Sequence, residues 1–312
     1  MTRDQVYGAM FGVAIGDALG VPAEFKSRTI LRSKPIKGFI GYGSHNQPPG
    51  TFSDDTSLTF CLAASLCNGY NLYDIGNRFV DWYHKGYWTA GGNVFDIGMT
   101  TSNAIARLRK GTETSFAGDF DEDSNGNGSL MRILPLLFHI KEMPIEQRFE
   151  HVKAVSSITH GHIRSVLACF FYLECALALL QGQSKQSAYL QAGQLLRQIM
   201  NDQQIVQPEI DLFAPLTDGN IAATPIENIG SSGYVMNTLK ASMHCFLTTD
   251  NYQDAVLKAV NLGDDADTTA AVAGGLAGLH YGHAAIPEKW RTDIRRAGDI
   301  TDLCELMFVS FS

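Results

Sequence analysis

The chain has 312 residues, 45% of them hydrophobic and 18% charged, which is enough apolar content to bury a sizeable core and excludes a disordered or solvating segment. Its 24 Lys and Arg against 32 Asp and Glu leave a formal net charge of -8, and the basic residues form no stripe, which excludes a nucleic-acid backbone as partner. Nothing interrupts the composition along the chain, so one domain covering residues 1–312 is expected.

In chain order, helical apolar spacing predicts helices over 4–19, from Leu58 to a stop near Gly69, and over 74–85, 98–109 and 144–157. It continues over 162–181, 184–200, 234–248, 251–261 and 267–280, and no segment alternates like a strand. The fold class expected is all-α. Gly, Pro, Asn and Asp cluster at 33–53, 86–97, 117–129 and 202–233, and long loops of this kind carry binding function in compact domains.

The six cysteines Cys61, Cys67, Cys169, Cys175, Cys245 and Cys304 show no C-x-x-C pairing and mostly lie in apolar runs, as expected of reduced thiols in the cytoplasm. The start, "MTRDQVYGAMFG", lacks the basic and apolar regions of a signal peptide. The most apolar run, "SVLACFFYLECALALL" (165–180), is shorter than a membrane span needs and contains Glu174, so a central buried helix is expected and a membrane partner is not.

Two stretches place acids where helices are expected to begin. Ser53, Asp54 and Asp55 lie in "GTFSDDTSLTF" (50–60); Asp264, Asp265 and Asp267 lie in "NLGDDADTTAAVAGGLAGLHYG" (261–282). Capping explains either cluster taken alone, because Ser and Asp satisfy the free N–H groups of a first turn and complement its dipole. Three carboxylates within four residues exceed what a cap needs and repel one another. Hard divalent cations take oxygen ligands, and two acidic helix starts meeting in space would offer five Asp and the hydroxyls of Ser53 and Thr268 to a pair of them. No Cys/His group has zinc spacing. "DADTT" (265–269) fits the D-x-D-x-T nucleophile of haloacid-dehalogenase-like phosphatases but lacks the strand and parallel sheet that motif requires. An EF-hand loop would need a Gly and a terminal Glu that are absent.

Seven motifs occur in the order seen in the ADP-ribosylglycohydrolases: "GVAIGDALGVPAEF" (12–25), "GTFSDDTSLT" (50–59), "FDIGMTT" (95–101), "GNGSLMRILPL" (126–136), "THGH" (159–162), "GSSGYVMNTL" (230–239) and "LGDDADTTAAVAGGLAG" (262–278). The chain resembles in particular the dinitrogenase-reductase-activating glycohydrolase branch. The resemblance implies an orthogonal all-α fold with a two-metal centre, Mg2+ or Mn2+, in a cleft that takes ADP-ribose. Carried over by position, Ser53, Asp54, Asp55, Asp265, Asp267 and Thr268 are the implied metal ligands, and Glu24 the acid above them. Asp96 matches the carboxylate near the scissile bond. Asn127, Gly128 and Ser129, with Gly230, Ser231, Ser232, Gly233 and Tyr234, resemble the ribose and diphosphate cradle. Two positions depart from the family: Ser53 replaces the more usual Thr and keeps its hydroxyl, and Asp264 replaces a second Gly, adding a charge beside the metals.

The implied reaction is metal-dependent hydrolysis of the N-glycosidic bond between ADP-ribose and an arginine guanidinium, with Asp55, Asp96 or Glu24 directing the water. The substrate would be an ADP-ribosylated protein and the product ADP-ribose. Two alternatives stand beside it: hydrolysis of serine-linked or O-acetyl-ADP-ribose, and an immunity protein that binds and blocks a cognate ADP-ribosyltransferase. Gly-rich "NGNGS" and "GSSG" offer backbone N–H groups to a diphosphate, although a single such turn is more often a plain loop. His160 is open between touching ribose or adenine and a buried, hydrogen-bonded role; the aromatics of "WYHKGYW" (82–88) are open between stacking and ordinary packing. Arg132 is read as fixing its loop, and Gly274 and Gly278 as allowing close helix packing.

Overall fold

A computed structural model describes residues 1–312. The helices are α1 (Arg3–Gly20), α2 (Arg28–Ser33), α3 (Asp54–Leu66), α4 (Leu72–Lys85), α5 (Met99–Arg109), α6 (Leu136–Ile140), α7 (Ile145–Ser157) and α8 (Ile163–Leu180). They continue as α9 (Lys185–Asp202), α10 (Gln207–Thr217), α11 (Val235–Leu247), α12 (Tyr252–Val260), α13 (Ala266–Tyr281), α14 (Glu288–Asp293) and α15 (Ala297–Phe311). No strand forms. Two isolated bridges, Asp119 with His160 and Gly126 with Tyr234, are the only extended pairings.

The expected helices are present, with one consequential shift: α3 starts at Asp54, not Leu58, so both acids lie inside its first turn. Ser53 is the N-cap, its hydroxyl accepting from the Asp55 amide at 3.2 Å. The expected loop 202–233 contains α10. Pro208 falls in its first turn, where a missing N–H costs nothing, and Pro215 in its last. Helix α15 was not expected, although Ile300, Leu303, Cys304 and Met307 form its buried stripe at i, i+3, i+4, i+7 spacing.

Helices α1 and α13 pack along their whole length. A Cβ placed on Gly8 or Gly12 would run into the backbone of Gly278 or Gly274, and one on Gly16 into Ala270. This small-residue seam permits a backbone approach that no side chain would tolerate. It brings Asp17 of α1 level with the first turn of α13, where Gly20 abuts the backbone of Asp267. The reading of Gly274 and Gly278 as packing residues agrees with this geometry.

Helix α8 is the only helix long and apolar enough to cross a membrane, and 94% of it is buried inside the protein. Its Glu174 makes two 2.6 Å hydrogen bonds with Arg148, pairing the charge that burial would otherwise expel. Arg132 is fully buried, stacked 4.7 Å from the Phe79 ring centroid and donating to Val155 O and Thr159 Oγ1, so it braces its loop from within. The tryptophans of the 82–88 stretch are packed: Trp82 is 1% exposed, and Trp88 lies edge-on to Phe60 under the Arg296 guanidinium.

Candidate active site

Asp17 organises the start of α3. Both its oxygens accept the Ser53 amide at 3.0 Å, and Oδ2 also accepts the Thr56 amide at 3.0 Å and the Thr56 hydroxyl at 2.5 Å. Helix α3 is therefore capped from outside its own sequence. Opposite it, Asp265 caps α13 by position, and the Thr268 hydroxyl crosses to Asp55 Oδ1 at 3.2 Å, tying the two helix starts together. One carboxylate oxygen from each of Asp17, Asp55 and Asp267 lies within 4.8 Å of the others. Ligand atoms of Glu24, His45, Asp96 and Asp267 form a second group of the same tightness, so Asp267 belongs to both.

Burial and mutual repulsion act together on these acids. Asp54, Asp55 and Asp267 are held well above the ordinary carboxylate range, first by loss of hydration and then by the charge of neighbouring acids, Asp96 and Asp265 among them. Asp265 is raised in the same way, and burial pushes Asp17 up to about 7 and Glu24 up to about 8. His45 is their only basic partner, contacting Glu24 through Nε2 and standing 3.8 Å from Asp96 Oδ2. Asp55 Oδ2, Asp265 Oδ1 and Asp267 Oδ2 are buried without any hydrogen-bond partner. Carboxyl oxygens that converge and lack partners fit hard divalent cations, and a cation would favour their ionised form by offsetting the repulsion between them.

A cleft of about 340 Å3 opens over this floor. Glu24, Asp54, Asp96, Asp265 and Thr268 border it from below, and Asn127, Gly128, His160 and Gly233 form the facing wall. That wall is knitted by backbone: Asn127 N donates to Gly233 O and Val235 N to Asn125 O, each at 3.0 Å. Asn127 Nδ2 reaches Asp265 Oδ2 at 2.7 Å and Thr238 Oγ1 at 2.8 Å, joining wall to floor.

His160 is neutral. Burial pushes it down to about 3, helped by the nearby Arg132 charge. Thr159 Oγ1 accepts from Arg132 at 2.8 Å, and the only acceptor its own proton meets is His160 Nδ1, also at 2.8 Å. The imidazole proton therefore sits on Nε2, making His160 a hydrogen-bond donor on the cleft wall.

The structure divides the cradle expected from the sequence. The Ser129 hydroxyl turns into the core, 3.0 Å from Ser156 Oγ and 3.5 Å from Cys169 Sγ. Ser231 is buried and ties Asp264 and Leu262 to Arg28, and its carbonyl accepts the Asp265 amide at 2.9 Å. Gly230 and Ser232 are exposed, the latter accepting from Asn237 at 2.8 Å. Tyr234 is half-buried beneath Arg164. Asp264, at φ 55, adopts the left-handed conformation that favours glycine, and Asp is among the residues that tolerate it. Its side chain is exposed and near Ser231, so the extra charge points away from the acidic floor.

Two residues of the site were not anticipated. Asp17 is the sole charge within the apolar stretch 12–23, a signal in itself, since a buried carboxylate demands partners. His45 sits in a polar loop and gives no local sign.

A sequence model for the family described as ADP-ribosylglycohydrolase matches residues 1–311. The chain is 33% identical over 308 residues to "ADP-ribosylarginine hydrolase Tri1" of Serratia proteamaculans, an alignment covering 98% of this chain and 79% of that one. It is 30% identical to "ADP-ribosyl-[dinitrogen reductase] glycohydrolase" of Rhodospirillum rubrum, over 92% of this chain and 89% of the other. A solved structure titled "ADP-ribosylglycohydrolase-related protein complex" superimposes with a TM-score of 0.83 at 28% identity, covering 99% of both chains. With the acidic helix starts facing one another across a single cleft and the match running through every helix, the chain belongs to the ADP-ribosylglycohydrolase family.

Proposed function

We propose that the protein hydrolyses the N-glycosidic bond linking ADP-ribose to arginine in a modified protein, with the whole chain serving as one catalytic domain. The observation that carries this reading is the convergence of Asp17, Asp55 and Asp267 beneath the cleft, with Glu24 and Asp96 at its edge. Relatives at 33% and 30% identity bear arginine- and glycohydrolase-directed names. No residue of the cleft favours O-linked ADP-ribose or occlusion of a transferase.

Two divalent cations, Mg2+ or Mn2+, would be held by Asp54, Asp55, Asp265, Asp267 and Thr268, with Asp17 beneath. Such ions supply Lewis-acid polarisation and the positive charge this floor lacks. Ser53 contributes through position, its amide on Asp17 and its hydroxyl on the Asp55 amide. The protein's own groups then act on the sugar. His160 Nε2–H and Asn127 donate and accept at hydroxyl or phosphate oxygens along the wall, and the Gly128 and Gly233 backbone allows a close approach. In the reaction, water oxygen bonds to the anomeric carbon as the carbon–nitrogen bond breaks. The water proton passes to a carboxylate oxygen of Glu24, Asp96 or Asp55, a reading supported by Glu24 and Asp96 lining the cleft and by Asp55 belonging to the buried acidic group. The departing guanidine nitrogen takes up a proton, and ADP-ribose leaves.

Release of ADP-ribose from an arginine-modified protein, in the presence of Mg2+ or Mn2+ and abolished by EDTA, tests the reading. Absence of release with either metal, alongside cleavage of a serine-linked substrate, overturns it.

A further inference from the structure

Glu24 lies in a turn that a second loop grips at three points. Gly43 packs against the Pro22 backbone so closely that any Cβ would collide with it. Ser44 donates its amide to Pro22 O at 3.4 Å and its hydroxyl to the Glu24 carbonyl. His45 Nε2 contacts Glu24 Oε2, the single polar contact within the protein that this carboxylate makes. The imidazole is itself held, with Phe25 and Phe95 ring centroids at 5.8 and 5.3 Å and only 15% of its side chain exposed.

Around Glu24 stand the carboxyl groups of Asp96, Asp265 and Asp267, and charge on any of them repels charge on Glu24. Left to those charges, a carboxylate on an edge turn would swing toward water. A donor on one oxygen prevents this and leaves Oε1 available to the cleft.

We infer that His45 is a positioning residue for Glu24, delivered by the Gly43–His45 strap and fixing the carboxylate over the acidic floor for the hydrolytic step. This rests on the hydrolase reading above. It also means that the loop 33–53 takes part in the site through His45 as well as through Ser53 at its end.

Three variants separate donor from packing. His45→Phe keeps an aromatic between Phe25 and Phe95 but removes the nitrogen; His45→Gln restores an N–H at similar reach; Glu24→Gln removes the partner charge. His45→Phe should lower kcat by about 10- to 100-fold with KM nearly unchanged, as loss of an orienting hydrogen bond typically does, and His45→Gln should recover most of it. Melting temperatures of the single and double His45→Phe, Glu24→Gln variants should be non-additive, a readout independent of turnover. Wild-type kcat in His45→Phe, or equal loss in Phe and Gln variants, overturns the inference, as do additive melting shifts. A wild type without turnover but with coupled melting shifts counts against the hydrolase reading and in favour of the His45–Glu24 contact.

Discussion

Asp17 and Thr56, 39 residues apart, are joined by two hydrogen bonds to one carboxylate oxygen: the Thr56 amide at 3.0 Å and its hydroxyl at 2.5 Å. Asp17 thereby fixes where α3 begins and how Asp54 and Asp55 are aimed. In Asp17→Asn a buried amide N–H2 faces donors it cannot accept from, a mismatch worth about 1–3 kcal/mol. Denaturant unfolding in EDTA should show that loss, and calorimetric titration with Mn2+ a fall in affinity of about 10-fold or more. Unchanged Mn2+ affinity would remove Asp17 from the floor of the site.

The repelling acids predict a stability change of opposite sign. Asp267 is 1% exposed, and its Oδ2 has no partner. Asp267→Asn keeps an oxygen for the Thr268 amide and removes one buried charge, so in EDTA its melting temperature should rise by about 2–4 °C for each kcal/mol of repulsion relieved. Adding Mn2+ should stabilise wild type, by about 2.7 kcal/mol at 100 times its dissociation constant, and leave the variant unmoved. A variant less stable than wild type in EDTA contradicts the repulsion argument.

The seam between α1 and α13 is sensitive to single methyl groups. Gly12→Ala directs a Cβ at the Gly274 carbonyl and should cost about 1–3 kcal/mol by forcing the helices apart. Gly298→Ala, in the first turn of α15 with open space around it, should be neutral or stabilising by up to about 1 kcal/mol. Thermal melts of the pair provide the comparison; equal effects would contradict the close approach.

His160 links stability to pH. Its folded value, about 3, lies below the ordinary 6.5, so the unfolded chain binds a proton first as pH falls. The stability this neutral ring contributes is complete above pH 6.5 and is lost progressively down to about 3. One differential proton corresponds to about 1.4 kcal/mol per pH unit, or about 2 kcal/mol between pH 6.5 and 5. His160→Gln should flatten the decline in melting temperature over that window, measured in EDTA. An identical slope would place the proton change elsewhere.

The sequence yields most of the fold because helical periodicity is local. Every helix of nine residues or more except α10 and α15 is expected from spacing, α10 being hidden by Pro208 and Pro215, whereas α15 carries a regular stripe at Ile300, Leu303, Cys304 and Met307 that is legible although the helix was not expected. Helices α2, α6 and α14, of five or six residues, fall below any periodic window. The floor of the site is visible as paired acidic helix starts, yet His45 is not and Asp17 shows only as a lone charge in an apolar run, since what defines their roles is a partner 21 to 39 residues away. Ser129 shows the reverse difficulty: its motif is plain, but which way a hydroxyl turns depends on Ser156 and Cys169.

The glycine seam also sets a schedule for synthesis. Helix α1 is finished at Gly20, but the surface it needs arrives only with Ala266–Tyr281, at ribosomal rates on the order of ten seconds or more later. Until then the small-residue face of α1 in a nascent chain has no partner helix, although Asp17 already has Ser53 and Thr56 to bind. Products that stop short of α13 lack Asp265, Asp267 and Thr268, and so half of the acidic floor, and leave that face of α1 uncovered.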